Sequence, residues 1–273
     1  MLIAQITDMH VRPYAKPCYG RVETNAHLRQ AVRALGELRP APDLVLATGD
    51  LVDRGSIEEY EILRDLLSPL TMPVYLIPGN HDDRANLRAV FADAYLRQDD
   101  RFLHYVVDRH LVRLIGLDTL VPGSPDGELC ADRLRWLSHR LAERPDQPTV
   151  LFMHHPPFAS GLGHMDRFAC VGSEPLAALV RAYPRIERVL CGHQHRSVQM
   201  RWAGTLASIA PSTAHQMTFD TAPDAPLAFV MEPPGFHLHL WREDTGVVTH
   251  QLYVGPHAGP YPIRPAAGTG GET

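Results

Sequence analysis

Seven side chains that could bind a metal ion follow short apolar runs, at points where strands are predicted to end. The runs span residues 2–6, 44–47, 74–77, 150–153 and 189–191. Such runs are typical of buried strands that enter loops, and in α/β proteins the loops at the carboxyl ends of strands build the ligand site. One Asn-His-Asp turn, such as 80–82, is more often a capped turn than a metal site, but five polar strand ends in succession indicate a shared site. The seven side chains are Asp8, His10, Asp50, Asn80, His154, His193 and His195.

The donor set consists of carboxylate, amide and imidazole groups and contains no thiolate. Such ligands suit first-row metals such as Fe, Mn, Co or Zn. Seven ligands are too many for one zinc ion, whereas two metal ions that share a bridging carboxylate would use all of them. Two metal ions about 3.5–4 Å apart clamp the attacking and leaving oxygens of an in-line displacement and lower the pKa of a bridging water. The pattern therefore indicates two divalent or mixed-valence metal ions in a hydrolase.

The predicted elements explain how these residues could meet. Strands and helices alternate up to about residue 197, which implies right-handed crossovers and a parallel sheet with helices on its faces. One of the helices is expected at 84–97. After residue 197, alternating apolar residues predict antiparallel strands. Five prolines within 211–235 indicate a loop-rich arm inserted between those strands.

The composition is that of an ordinary globular protein. The chain has 273 residues, of which 45% are hydrophobic and 21% charged, so it can bury a sizeable core. The net charge of −5 gives no indication of the basic surface with which proteins bind nucleic acid polymers. We see no secretory signal and no apolar run of about 18 residues, so we expect no membrane contact and a cytoplasmic location. The four cysteines show no paired spacing, which fits reduced thiols, and the 16 histidines mildly favour metal binding.

The motifs Asp-x-His, Gly-Asp, Gly-Asn-His-Asp, His-His and Gly-His-x-His occur here in that order within residues 1–200. This order resembles the calcineurin-like metallophosphoesterase superfamily. The resemblance implies an α/β (α+β) fold: a two-layer mixed β-sandwich flanked by helices, with a dinuclear metal centre at its edge. Carried onto this chain, one metal ion is held by Asp8, His10, Asp50 and His195. The other is held by Asp50, Asn80, His154 and His193, with Asp50 as the bridge.

Within the superfamily, the chain is most similar to bacterial class III cyclic nucleotide phosphodiesterases and related glycerophosphodiesterases. The similarity lies in residues 77–83, 153–157, 191–195 and, less specifically, 233–236. It implies hydrolysis of small phosphodiesters, either 3′,5′-cyclic nucleotides such as cAMP or glycerophosphodiesters, by a metal-bound hydroxide. The residues expected to act in catalysis are Asp50 and His81, and those expected to contact substrate are Asn80, His81 and His215.

Two alternatives stay open at this point. The segment 49–55 resembles the Gly-Asp-x-Val-Asp-Arg-Gly of Ser/Thr protein phosphatases, in which the arginine contacts phosphate, so a phosphomonoesterase with Arg54 at the phosphate is an alternative. However, Pro78 and Asp82 depart from the phosphatase pattern, and Arg54 is expected at the surface or behind the ligands. A non-catalytic binding module of the same fold is the other alternative, but such a module would have lost ligands, and all seven are present.

Several further residues receive structural interpretations. His155 is expected to be structural, because it follows a ligand along a strand. Asp118 is expected in a turn or helix cap. His237 and His239 share one strand face, which indicates a polar face rather than a third metal site.

We expect three parts along the chain: a catalytic core at 1–210, an arm with returning strands at 211–260 and a frayed tail at 261–273. The arm is expected to cap the active site and to make a subunit contact in a homo-oligomer, a dimer or larger. Its apolar residues, such as Leu227 and Phe229, need a partner surface in so loop-rich a segment.

Overall fold

The computed structural model describes residues 1–14 and 16–263. Strands and helices alternate as expected up to residue 90, but three strands then follow one another between 105 and 128, and two between 149 and 171. The strands are β1 Leu2–Ile6, β2 Leu44–Thr48, β3 Val74–Ile77, β4 Tyr105–Val107, β5 Arg113–Leu117, β6 Gly127–Glu128, β7 Thr149–Met153, β8 Cys170–Val171, β9 Ile186–Cys191, β10 Val198–Trp202, β11 Thr205–Ile209, β12 Gln216–Met217, β13 Phe229–Val230, β14 Gly235–Arg242 and β15 Gly246–Tyr253. The helices are α1 Thr24–Glu37, α2 Ile57–Leu67, α3 Arg84–Val90, α4 Ala131–Glu143 and α5 Ser173–Ala182.

Two mixed sheets form the core, in the strand orders β15-β14-β1-β2-β3 and β10-β11-β9-β7-β5-β4. β1, β2 and β3 run parallel, as do β5, β7, β9 and β11. The antiparallel strands predicted after residue 197 occur as the pairs β10–β11 and β14–β15. β14 also returns to pair antiparallel with β1, so the pair β14–β15 completes the first sheet, whereas β10–β11 extends the second.

The two sheets face each other across a shared apolar layer. This layer joins Ile3 and Leu46 of the first sheet to Leu114, Phe152 and Leu190 of the second, all fully buried. A second cluster packs α4 and α5 against the outer face of the second sheet. This two-layer sandwich with flanking helices confirms the predicted fold class. None of the described helices combines the length and apolar composition needed to cross a bilayer.

The predicted helix at 84–97 is shorter than expected. α3 ends at Val90, Phe91 is extended, and a separate 3₁₀ helix covers Ala94–Arg97. In α3 only Leu87 is buried, so no continuous apolar face extends the helix. The side chain of Arg88 instead donates to the carbonyls of Leu96, Asp99, Asp100 and Phe102, which fixes the irregular chain that follows.

The arm contains only the short pair β12–β13 before the chain returns to the first sheet at β14. It lies against the loop after β7, because Gly163 donates its N–H to the carbonyl of Asp220. Of the predicted tail, residues 264–273 lie outside the described residues. The division into core, arm and tail stays a prediction.

Candidate metal centre

The loops that follow β1, β2, β7 and β9 are joined by backbone hydrogen bonds. The N–H groups of Asp8 and His10 donate to the carbonyls of Gly49 and Asp50, and Gly192 donates to His154. The backbone N–H of His193 donates to the carboxylate of Asp8. The edges of the two sheets thereby bring all seven predicted side chains together, and six of them are buried.

The first cluster consists of Asp8, His10, Asp50 and His195. The Nε2 atoms of His10 and His195 lie 3.1 Å apart. His195 Nε2 lies 3.4 Å from an oxygen of Asp8, and His10 Nε2 lies 3.6 Å from Oδ2 of Asp50. Four donor atoms thus face a common centre.

The second cluster is built around the amide oxygen of Asn80. This oxygen lies 3.2 Å from Nε2 of His154 and 3.0 Å from Nδ1 of His193. His154 Nε2 also lies 3.4 Å from Oδ1 of Asp50. One oxygen of Asp50 therefore faces each cluster, which is the position of a bridging carboxylate.

These separations fit metal ligands. Atoms that bind one ion at about 2.0–2.2 Å lie roughly 3–3.5 Å apart in tetrahedral or octahedral geometry. Imidazoles with carboxylate and amide oxygens form a suitable set for Zn, Fe, Mn or Co. The residues present can hold two ions.

The remaining nitrogen atoms of three histidines point away from the shared centre. His154 Nδ1 is 2.8 Å from the carbonyl of Thr48, and His195 Nδ1 is 3.0 Å from the carbonyl of His215. His10 Nδ1 lies 3.6 Å from the carboxylate of Asp53. A carbonyl accepts only from N–H, so it fixes the tautomer that leaves Nε2 free for a metal ion.

Backbone strain concentrates at the same residues. Seven described non-glycine residues have positive φ, and five of them are predicted ligands: Asp8, His10, Asp50, His193 and His195. Such conformations cost about 1–3 kcal/mol each and persist where the surrounding structure imposes them, typically at functional sites. The hydrogen bonds between the loops supply that constraint.

Two glycines of the motifs allow this close packing. A Cβ on Gly79 would lie 2.3 Å from the N and Oδ1 atoms of Asp50, and one on Gly49 would lie 2.4 Å from the ring of His154. Gly49 also has φ of +91°, which favours glycine. Any larger residue would push a donor group out of place.

The carboxylates give the centre a field that favours cations. Burial raises the pKa of Asp8 to about 6, and the charge of the nearby Asp50 carboxylate acts in the same direction. Burial alone lowers the pKa of His154, but the charge and hydrogen bond of Asp50 and the charge of Asp8 raise it to about 9. A metal ion would satisfy both carboxylates.

His81 stands at the open side of the centre, with its side chain 33% exposed. The backbone N–H of His81 donates to Asp50 Oδ1 at 2.9 Å. The ring Nδ1 of His81 lies 2.8 Å from the carbonyl of Asp53. The ring packs edge-on against His10, with centroids 4.7 Å apart. Nε2 is the nitrogen left for another partner.

His215 lies behind the first cluster, with its ring 4.6 Å from that of His195 and 5.7 Å from that of His10. Both of its nitrogens are buried without a partner in the part of the chain that the structure describes. Phe229 of the arm packs on this ring at 5.2 Å and stacks on Tyr19. The arm therefore reaches the edge of the centre.

Two acidic residues of the motifs, Asp82 and Asp53, were not predicted from the sequence to support the site. The buried Asp82 accepts hydrogen bonds from the backbone of Leu51, Val52 and Gly79 and from the hydroxyl of Tyr60, so it ties the two loops together. Asp53 contacts His10, His81 and Arg12. Both lie inside quoted motifs, but only the folded chain reveals their partners.

Arg54 lies at the surface, as expected, and the structural role of His155 stays a prediction. The ring of His155 touches that of His193, and a nitrogen atom of His155 comes close to those of His154 and His193. Its own nitrogens, however, contact the hydroxyl of Thr119 and the carbonyl of Pro125. The Arg54 side chain is 75% exposed.

Asp118 makes the predicted turn, since it accepts from the N–H of Leu120. It is also fully buried and forms a two-point ion pair with Arg84, which the sequence did not indicate. His237 and His239 are both buried, contacting Ser197 and Gln5 respectively, and lie outside the metal-binding clusters found among the described residues.

Comparison with known proteins agrees with the family that the motifs resemble. Residues 1–197 match the family model for the calcineurin-like phosphoesterase. The chain is 38% identical over 264 residues to a probable glycerophosphodiester phosphodiesterase of Arcobacter nitrofigilis, covering 96% of this chain and 97% of that one. It is 32% identical over 263 residues to a 3′,5′-cyclic-nucleotide phosphodiesterase of a Nostoc species, covering 96% and 95%.

Among solved structures, a dimetal phosphatase from Danio rerio superposes with a TM-score of 0.66 at 15% identity, over 93% of this chain and 99% of that one. At that identity the likeness concerns the fold alone. Together with the family match and the relatives above 30% identity, the converging strand ends lead to one conclusion: this chain belongs to the calcineurin-like phosphoesterase family.

Proposed function

We propose that this protein is a dinuclear metallohydrolase of small phosphodiesters. The observation that carries the proposal is the position of Asp50, whose two oxygens face two different groups of donors. Asp8, His10 and His195 would complete one metal site. Asn80, His154 and His193 would complete the other, and Asp50 would serve both.

Two metal ions at this centre would supply Lewis-acid stabilisation of the phosphoryl oxygens and a nucleophile at neutral pH. The chain's own residues orient the reaction. Asn80 and His81 lie beside the bridging carboxylate, where they can donate hydrogen bonds to the phosphate. Because Nδ1 of His81 donates to a carbonyl, a second proton would reside on Nε2, from which it can pass to the leaving oxygen.

The arginines near the ligand motifs support a singly charged phosphate. Arg12 is paired with Asp53, Arg84 with Asp118, and Arg196 with Glu232, while Arg54 is largely exposed. Sites that favour dianions commonly add arginine forks. A diester carries one negative charge and a monoester about two near neutral pH, so this environment favours diesters.

The test compares kcat/KM for bis-p-nitrophenyl phosphate and p-nitrophenyl phosphate with the same metal and pH. We expect the diester to be preferred by at least about tenfold, or ~1.4 kcal/mol of transition-state discrimination. A ratio below one would overturn the proposal in favour of a phosphomonoesterase. No hydrolysis of either ester by the fully metal-loaded protein would favour the binding module.

The natural substrates would be 3′,5′-cyclic nucleotides or glycerophosphodiesters, because relatives that span nearly the whole chain bear both names. A panel of cyclic AMP, glycerophosphocholine and glycerophosphoethanolamine, assayed with defined metals, decides between them. Hydrolysis of only one class identifies the substrate alcohol that the site accepts.

We also propose that the arm makes a subunit contact. Its side chains Phe219, Leu227 and Met231 are 73%, 60% and 53% exposed, which is unusual for large apolar groups close together in the chain. Light scattering at micromolar concentration should give a dimer or a larger assembly. A monomer would contradict the contact without affecting the proposed chemistry.

A further inference from the structure

Away from the metal centre, the layer between the two sheets holds a cationic side chain that forms no ion pair with any described carboxylate. Arg188 of β9 is 6% exposed. Its Nη2 donates to the carbonyl of Val247, but Nε and Nη1 are buried and contact no acceptor in residues 1–14 and 16–263. The charge of the adjacent Glu187 acts on Arg188, but the Glu187 carboxylate lies 3.5 Å from Arg185 and forms no ion pair with Arg188.

The facing strand β14 contributes a second unpartnered donor. The register pairs Trp241 with Val247, the residue whose carbonyl accepts from Arg188, so Arg188 reaches the strand pair to which Trp241 belongs. Trp241 is 7% exposed, and its Nε1 is buried without a partner among the described residues. Ser208 of β11, the neighbour of β9, is fully buried, and its hydroxyl has no partner in the same part of the chain.

These groups share one chemical need. Arginine and indole nitrogens only donate hydrogen bonds, and arginine keeps its charge in proteins. Buried polar groups in folded proteins nearly always have partners, and a buried charge needs compensation. His237 and His239 carry no compensating charge, because burial keeps both neutral and lowers the pKa of His237 to about 4. A partner that accepts hydrogen bonds and carries negative charge would meet this need.

We propose that Arg188 and Trp241 hold a small inorganic anion of halide size, such as chloride, between the two sheets. A single small ion suits an enclosed layer with one permanent positive charge. Bound there, it would tie the β14–β15 hairpin of the first sheet to β9 of the second. The site is independent of the proposed catalytic function.

The first experiment measures thermal unfolding of the metal-loaded protein while chloride replaces gluconate at constant ionic strength. The melting temperature should rise by about 2–4 °C, because an ion that binds only the folded state stabilises it. Arg188→Met should remove this dependence. Arg113→Met is the matched control: Arg113 is equally buried but paired with Asp108 and Glu143, so its loss should lower stability and preserve the chloride effect.

Equal chloride dependence in Arg188→Met and the wild type would overturn the proposal, as would a wild type that does not respond. A second measurement needs no variant. Crystals of the wild type soaked in bromide should give an anomalous peak within hydrogen-bond distance of Arg188 Nε and Trp241 Nε1. Density there without anomalous signal would identify a water molecule and refute the anion site.

Discussion

The carboxylate of Asp53 lies 3.6 Å from Nδ1 of His10, on the side of the imidazole opposite the nitrogen that faces Asp50 and His195. Arg12 holds this carboxylate at 2.5 Å, and Cys18 donates to it. Although burial opposes ionisation, the nearby side chains of His10 and Arg12 keep the pKa of Asp53 well below its usual range. A charged carboxylate thus orients a predicted ligand from behind.

Asp53→Asn should therefore weaken metal binding. Loss of a carboxylate behind a ligating histidine typically costs about 10–100-fold in affinity. Titration of the metal-free protein with Mn²⁺ by calorimetry measures the change. Asp65→Asn, at an exposed position on α2, is the control and should bind as the wild type does. Unchanged affinity in Asp53→Asn would show that His10 needs no such support.

Asp50→Ala should remove both metal ions, because one oxygen of Asp50 faces each group of donors. Asp8→Ala is the matched comparison and should weaken only the site it shares with His10 and His195. Metal content by mass spectrometry gives the stoichiometry of each variant. Two tightly bound ions with wild-type turnover in Asp50→Ala would refute the bridging role.

His81→Ala should retain its metal ions and lose roughly 10²–10⁴-fold in rate, the usual contribution of a general acid. The ring sits at the open side with its Nδ1 on a backbone carbonyl, so its loss leaves the other donors in place. Metal content and kcat are measured on the same sample. Loss of metal in proportion to activity would instead make His81 a ligand.

Phe229→Ala should change discrimination between diesters with large and small alcohol groups, because Phe229 packs on His215 at the edge of the centre. An apolar contact in a pocket is worth about 1–3 kcal/mol, so the ratio of kcat/KM values should move by about tenfold. Phe219→Ala, on the same arm but 73% exposed, should leave the ratio unchanged. If both variants discriminate between the diesters as the wild type does, the arm does not cap the active site.

Acid should destabilise the fold through His104. Burial lowers the pKa of this residue to about 4, and its Nδ1 accepts the N–H of Asp118, a bond that protonation abolishes. The unfolded chain binds the proton near pH 6.5 and the folded chain near 4, so this contribution is complete above pH 6.5 and falls as pH drops towards 4. The expected loss is about 3 kcal/mol in the free energy of unfolding.

His104→Asn keeps an acceptor at the position of Nδ1 and does not titrate, so its unfolding free energy should fall less across this window. Urea unfolding at several pH values measures both proteins. The exposed His250→Asn serves as control and should follow the wild type. Parallel curves for His104→Asn and the wild type would exclude His104 as the source of acid sensitivity.

The order of motifs was enough to predict the family, the two-layer fold and the seven side chains that converge. This was possible because parallel strands end at one edge, so residues at successive strand exits must meet there. The capping box of α2 is equally local, because its partners Ser56 and Glu59 lie within one helical turn. Local chemistry and strand order carried these inferences.

Other features depend on contacts between residues far apart in the chain. The split of the 84–97 helix follows from the carbonyls that Arg88 binds, and the pairing of Arg84 with Asp118 joins segments 34 residues apart. The positive φ values at Asp8, Asp50 and His193 arise because loops from both sheets constrain each other. Residue types and spacing thus determined which donors are available. Only the packing of the two sheets decided that Asp50 turns one oxygen to each cluster, because that geometry depends on His10 and His154 arriving from different sheets.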